Sequence, residues 1–364
     1  MKVLLIGPLP PPIDGCSNAN KVLLKNIKLK NISCDAINTN TSIITKDQGS
    51  KFSLKKALLF VKNYLSAYKI FSADAVYLTP GQTFYGVLKY APFIILSRLA
   101  GKPYTIHVHG NYLGKQYTLL TGVKKKIFHW LVSKAAAGIV ITKSLASNFD
   151  NLLPPEKVFF VVNFAEEELY ALPLAKKSDK LRILYLSNLM TEKGILQVLD
   201  ALIVLNNENI DFEAVVAGSM EAGIQEEIRR RFDLLGNKLT YAGVVTGTVK
   251  TDRLMEANIF ILPTYYIMEG LPISVLEAMA TGNIIITTAH AGLPDVVING
   301  ENGFLIQPKD PAAIAAALTT INTDVKGMVE KYAAGNRKYA LANFTEKQFT
   351  AQILDVLQST LKKK

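Results

Sequence analysis

Two glutamates, two histidines and a lysine carry most of the chemistry that can be read from this sequence. Glu269 and Glu277 bracket a Gly-Leu-Pro-Ile turn in PTYYIMEGLPISVLEAMATG, residues 263–282, with seven residues between them. A helix that opens over Gly270, Leu271, Pro272 and Ile273 presents unpaired backbone N–H groups and the positive end of its dipole, which suits a phosphate. Glu277 lies more than a turn inside that helix and its side chain leans back toward the start, within reach of a neutral hydroxyl beside the phosphate. Glu269 precedes the helix and can accept from a second set of hydroxyls. Phosphate with hydroxyls at both ends describes a sugar nucleotide, although the spacing alone equally fits a helix end that binds nothing.

His107 and His109 close a predicted strand in YTIHVHGNY, and strand alternation puts both on one face. A histidine there can donate or accept a hydrogen bond near neutral pH, or serve as a satisfied structural group. No third ligand stands at a spacing that would make the pair a metal site, so no metal is expected. Lys193 sits in the loop of LYLSNLMTEKGILQVLDAL, residues 184–202, between a strand and a helix, where a flexible point charge can meet a phosphate or simply face solvent. Gly218 ends the next strand and would let a ligand approach the backbone.

The elements that must hold these groups follow a single pattern. Short apolar runs near 3–6, 33–38, 75–78, 104–108, 138–142 and 158–162 alternate with helical periodicity, and the alternation restarts at 183–186, 212–217, 239–241, 259–262, 284–287 and 304–306. That order predicts an α/β protein of two doubly wound, Rossmann-like domains with parallel sheets and a cleft between them. Residues 163–180, NFAEEELYALPLAKKSDK, interrupt the alternation and mark the boundary: 1–165 for the first domain, 166–344 for the second, and a last helix, 345–364, that can pack back on the first. Pro272 suits the first helical position of its helix, Gly282 its end, and Asp310 the N-cap of the helical tail. The first loop, residues 7–15, carries Gly15 but lacks G-x-G-x-x-G.

Composition narrows the class. The 364 residues allow two domains, and the two cysteines, Cys16 and Cys34, form neither a disulfide framework nor a metal pattern, which makes a reducing cytoplasm the expectation. Neither the first apolar run nor residues 84–100, interrupted by Lys89, Pro92 and Arg98, reads as a leader or a membrane span. Residues 1–165 hold 21 Lys and Arg against 6 Asp and Glu, whereas the remainder is mildly acidic. The first domain is therefore expected to meet something anionic. Lys124, Lys125 and Lys126 precede Ile127, Phe128, Trp130 and Leu131, an interleaving that suits an anionic membrane surface. No nucleic-acid motif accompanies the charge.

Taken together, these segments resemble the family-four retaining glycosyltransferases, the glycosyl transferases group 1, whose GT-B fold comprises two Rossmann-like domains. The resemblance rests on the E-x7-E stretch EGLPISVLEAMATG, the first strand and Gly15 loop, the His109-Gly110 pair, the NLMTEKG loop and the tail AGLPDVVINGENGFLIQPKD, all in family order. It implies transfer of a sugar from a nucleotide diphosphate, UDP in preference to GDP, to a glycan or lipid-linked acceptor in surface polysaccharide or glycolipid assembly, without metal or cofactor. Glu277 would bind the ribose and Glu269 the donor sugar; the backbone N–H groups of the turn Gly270, Leu271, Pro272 and Ile273, in which Pro272 itself has none to give, would hold the diphosphate or sugar, with Lys193 helping to neutralise the leaving phosphate. His109 would be the active-site histidine, with His107 two positions away as the alternative, and Gly15 and Gly218 would admit the donor. Two departures stand out: Asn188 replaces an arginine common in the family, and Asp14-Gly15-Cys16 replaces a pair of glycines. The same signatures also fit a GT-B sugar-nucleotide epimerase, or a non-catalytic module that binds a sugar nucleotide or glycan.

Overall fold

The computed structural model of the chain describes residues 1–40 and 61–362. Those residues form two compact units: one comprises the described residues of 1–163 and 346–364, the other is continuous from 164 to 345. Each is built on a six-stranded sheet whose strands all pair in parallel.

In the first unit the strands are β1 (Lys2–Gly7), β2 (Ser33–Asn38), β3 (Ala75–Leu78), β4 (Tyr104–Val108), β5 (Ala137–Val140) and β6 (Val158–Phe160), in the order β2-β1-β3-β4-β5-β6. The central strands are buried along their whole length: every residue of β3 and β4 is buried, Thr105 and His107 of β4 included. Helix α1 (Gly15–Leu29) turns Ser17, Ala19, Asn20, Val22, Leu23 and Ile27 inward. Helices α2 (Ala91–Leu99) and α3 (Gly122–Val132) follow, and the final helix of the chain packs beside α1 and β3.

The second unit contains β7 (Leu181–Leu186), β8 (Phe212–Ala217), β9 (Leu239–Gly243), β10 (Ile259–Leu262), β11 (Ile284–Thr288) and β12 (Gly303–Ile306), ordered β12-β11-β10-β7-β8-β9. From β7 the chain proceeds toward β8 and β9, and from β10 it proceeds the other way, toward β11 and β12. The strand order therefore reverses between β7 and β10, and their carboxyl ends diverge into the crevice where doubly wound sheets hold ligands. Helices α4 (Ile195–Asn207), α5 (Gln225–Leu235), α6 (Gly247–Glu256), α7 (Ile273–Ala280), α8 (Pro311–Asn322) and α9 (Val325–Asn343) cover this sheet, with α4 against α5 and α8, and α7 against α9. Helix α10 (Glu346–Lys362) then returns to the first unit, burying Phe349, Ile353 and Leu357.

Several helix ends differ from the sequence reading by one or two residues, each for a visible reason. Asp14 N-caps α1 and forms a capping box with Ser17, so Gly15 is the first helical residue rather than the last of the loop. Pro272 is the N-cap of α7, not its first helical residue: its ψ of 125° is extended, and the helix opens at Ile273. Gly282 takes the left-handed φ of 75° just past the helix, as its type suggests. Asp310 caps α8 by accepting from the amide of Ala313.

Candidate active site

At the crevice, the loops after β7 and β10 are tied together before any ligand is considered. The carbonyl of Glu192 accepts from the amide of Tyr265 at 2.8 Å, with Oγ1 of Thr264 3.3 Å away. Gly194, with φ 79°, lets the β7 loop pass so close to Pro263 that an added Cβ would lie 2.5 Å from the proline carbonyl. This strapping brings Lys193 to Glu269. Nζ of Lys193 donates to Oε2 of Glu269 at 2.5 Å, Oγ1 of Thr264 donates to the same oxygen at 2.8 Å, and Nζ also lies 5.3 Å from the centre of the Tyr266 ring. Both charged side chains are largely buried, at 14% and 8% exposure. A cation and a carboxylate thus sit together just ahead of α7, and Oε1 of Glu269 makes no hydrogen bond among the described residues. The lysine is no solvated surface group.

Glu277 stands on the same helix, α7, and is buried to 4% side-chain exposure. Its Oε1 accepts from Nζ of Lys250 on α6 at 2.7 Å, and that ammonium also donates to Oε1 of Glu166 at 2.9 Å. Burial pushes the Glu277 carboxyl up to about 7; Lys250 opposes the rise and Glu166 adds to it. Burial also disfavours charge on Lys250, but Glu277 and Glu166 outweigh it and hold the ammonium above the ordinary lysine range. No hydrogen bond to Oε2 of Glu277 forms among the described residues, which leaves an acceptor for an incoming hydroxyl.

Gly270, Leu271, Pro272 and Ile273 form the turn between the two glutamates. Pro272, the N-cap of α7, makes no side-chain cap hydrogen bond among the described residues. The turn is anchored from the other side by the amide of Gly292, which donates to the carbonyl of Gly270 at 2.9 Å. Asn188 is exposed, and its Oδ1 accepts from Oγ of Ser219 at 3.0 Å, linking the loops after β7 and β8. Gly218 is required sterically: its φ is 144°, and a Cβ there would meet the Ser187 carbonyl oxygen at 1.8 Å. The position serves the backbone crossing of the two loops whatever else approaches it.

In the first unit, His107 and His109 stack with ring centres 4.1 Å apart, on one face as alternation requires. They differ in their partners. Nδ1 of His107 shares a 2.6 Å hydrogen bond with the Tyr77 hydroxyl, whereas both ring nitrogens of His109 are buried without a hydrogen-bond partner among the described residues. Burial lowers the His109 pKa to about 4 and, with His109 as neighbour, holds His107 well below the ordinary histidine range. Both rings are neutral at physiological pH. Gly15, nearer the start of the unit, has open space where a Cβ would go. The loop before it is held by Asn40 and Asn20, which donate to the carbonyls of Leu9 at 2.6 Å and Pro8 at 2.9 Å. Cys16 and Cys34 are free thiols that burial pushes up to about 12 and about 11.

Lys250, Thr264 and Glu166 were not singled out by the sequence as site residues. VKTDRLME reads as an ordinary solvated helix, and Glu166 as part of an acidic boundary run. Only the tertiary fold brings them to Glu277 and Glu269. On α3, Phe128, Leu131 and Val132 are buried, while Val123, Ile127 and Trp130 remain exposed beside Lys124 and Lys126. No described helix is long and apolar enough to cross a membrane.

The chain is similar to known proteins in sequence and in fold. The family model for glycosyl transferases group 1 matches residues 167–339, a stretch that holds Lys193, Lys250, Glu269 and Glu277. The putative colanic acid biosynthesis glycosyltransferase WcaL of Salmonella typhimurium is 31% identical over 110 residues, 29% of this chain and 27% of that protein. The amylovoran biosynthesis glycosyltransferase AmsK of Erwinia amylovora is 26% identical over 210 residues, 56% of this chain and 51% of its own length. The matches therefore span about a quarter and about half of these curated relatives. Among solved structures, Anabaena Alr3699/HepE in complex with UDP superposes with a TM-score of 0.73 at 17% identity, covering 99% of this chain and all of that one.

Proposed function

We propose that this chain, which belongs to the glycosyl transferases group 1 through residues 167–339 and has the GT-B fold of two Rossmann-like units, transfers a sugar from a nucleotide diphosphate to a hydroxyl of a glycan or lipid-linked acceptor. The observation that carries the reading is the cluster of Lys193, Glu269 and Thr264 at the strand-order reversal, with Glu277 on the helix α7 that opens just after it. A diphosphate placed at the start of α7 would draw Lys193 from Glu269, freeing that carboxylate for the sugar hydroxyls while Glu277 accepts from the ribose. We favour UDP over GDP: HepE has been solved with UDP. The similarity to WcaL and AmsK, named for colanic acid and amylovoran biosynthesis, supports surface polysaccharide as the product class.

In the reaction we assign, the bond from the anomeric carbon to the diphosphate breaks as the acceptor oxygen attacks the same face. The departing phosphate takes the acceptor proton, and the configuration at carbon is retained. Lys193 and the α7 amides stabilise the growing charge on the leaving phosphate, the part that a metal cation plays elsewhere. His109 is the histidine we assign to the reaction, as a neutral hydrogen-bonding group; its unpartnered nitrogens support that choice over His107, which Tyr77 already occupies. The basic first unit, with the exposed face of α3, would rest on the cytoplasmic side of an anionic membrane where a lipid-linked acceptor lies.

A thermal-shift screen of UDP-, GDP-, ADP- and dTDP-sugars tests the reading, followed by product analysis with the donor that binds. One donor class should raise the melting temperature and yield a glycoside of retained configuration, and Glu277→Ala should abolish both effects. Full transfer by Glu277→Ala would sink the proposal.

A further inference from the structure

Glu277 presents a physical difficulty for the role just given to it. A carboxyl buried to 4% exposure favours its neutral form, and a neutral acid offers one acceptor fewer and a hydroxyl donor in its place. A ribose hydroxyl donates about twice as strongly to a carboxylate as to a neutral group. Something must therefore keep Glu277 ionised without occupying both of its oxygens.

Lys250 meets both conditions. It approaches from α6, takes Oε1 alone at 2.7 Å, and leaves Oε2 without a hydrogen bond among the described residues. Its ammonium is itself only 14% exposed, so solvent screens the pair little. The same nitrogen is shared with Glu166 at 2.9 Å. We propose that Lys250 is a positioning residue for the nucleotide, holding Glu277 ionised and aimed so that its free oxygen accepts from a ribose hydroxyl, with Glu166 tempering that hold. The inference rests on the donor reading above. The charged groups that act on Glu277 are Lys250 from α6 and Glu166 from the segment ahead of the short helix Glu167–Ala171. The other elements against α7, namely α9, β10 and β11, bring none that acts on it.

Because the two neighbours have opposite charges, their removal should move the binding profile in opposite directions. We would titrate UDP, GDP and ADP, with their 2′- and 3′-deoxy counterparts, into the full chain by calorimetry between about pH 6 and about pH 9. The wild type should prefer the ribonucleotide over a deoxy counterpart by about tenfold, the preference growing as pH rises through the Glu277 titration. Lys250→Met should lose that preference near neutral pH and regain it only about one pH unit or more higher. Lys250→Arg should restore it, and Glu166→Gln should shift the profile to lower pH. If Lys250→Met does not fold, the downward shift in Glu166→Gln remains as the test. An unchanged profile in Lys250→Met or Glu166→Gln, or failure of Lys250→Arg to restore the preference, overturns the role of Lys250 while leaving the donor reading intact. A wild type that binds none of the nucleotides overturns the donor reading and this role together.

Discussion

Nζ of Lys193 lies 2.5 Å from Oε2 of Glu269, so in the free protein the cation assigned to the diphosphate is neutralised by the carboxylate assigned to the sugar. The two charges hold each other in place, and on the proposed assignment each must be released for a donor to bind.

Glu269→Gln should separate binding from turnover. It removes the carboxylate that competes with phosphate for Lys193, so nucleoside diphosphate affinity should stay level or rise by up to about tenfold. Transfer should fall by about a hundredfold or more, because the group proposed to meet the sugar in the transition state is gone. Calorimetry and steady-state turnover on the same preparation check the pair of outcomes; a parallel loss of both would show that Glu269 serves mainly to hold the loop.

Stability and binding should respond to pH in opposite senses. The Glu277 carboxyl is raised from an ordinary 4.5 to about 7 in the fold, so between those values the native state holds a proton that the unfolded chain has released. Its contribution to stability is present in full below about 4.5 and is lost as pH rises through about 7, while the ionised form needed for ribose appears over the same interval. Lys250 is raised above a value that is already alkaline and leaves that window untouched. Denaturant titrations across the window should show wild-type stability falling relative to Glu277→Gln; identical pH slopes in the two proteins would contradict the assignment.

The two glycines assigned to donor approach should behave differently. Gly218→Ala places a Cβ 1.8 Å from the Ser187 carbonyl at φ 144°, and it should cost about 3 kcal/mol or more of stability. Gly15→Ala meets open space at the start of α1 and should change stability by no more than about 1 kcal/mol. Chemical denaturation reads both. A fall in donor affinity in Gly15→Ala without a stability change would then report a ligand rather than the protein filling that space.

The exposed face of α3 sets up a lipid-binding test. Val123, Ile127 and Trp130 are 71%, 37% and 43% exposed, and three lysines lie among them. Co-sedimentation with vesicles rich in anionic lipid should show binding that weakens with salt and is absent on neutral vesicles. At about 1 kcal/mol per lysine, reversing Lys124, Lys125 and Lys126 to Glu should weaken it by about a hundredfold or more. Binding that survives both the reversal and high salt would point to another surface.

Much of the fold could be read in advance because its signals are local. Central strands such as Val3 to Ile6 and Ile259–Leu262 are apolar at every position, and Asp310, Gly282 and the helical periodicity mark their own elements. Glu269, Glu277 and Lys193 were legible because a helix start and a short loop hold them in recognisable spacing. What surrounds them was not. Lys250 reaches Glu277 across 27 positions and Glu166 across a further 84, and no sequence period encodes such contacts. The errors at Pro272 and Gly15 were of another kind: a capping Asp14 and an extended Pro272 move a helix start by one residue, which composition alone does not resolve.

The return of α10 to the first unit has a consequence for how the chain is made. The core of that unit includes Phe349, Ile353 and Leu357, which are synthesised after the whole of residues 164–345. On the ribosome the second unit is continuous and can close as soon as it emerges, whereas the first must wait with the side of α1 and β3 that α10 covers still open to solvent. Birth order and folding order are thereby reversed: the half of the protein made first is the last to be finished.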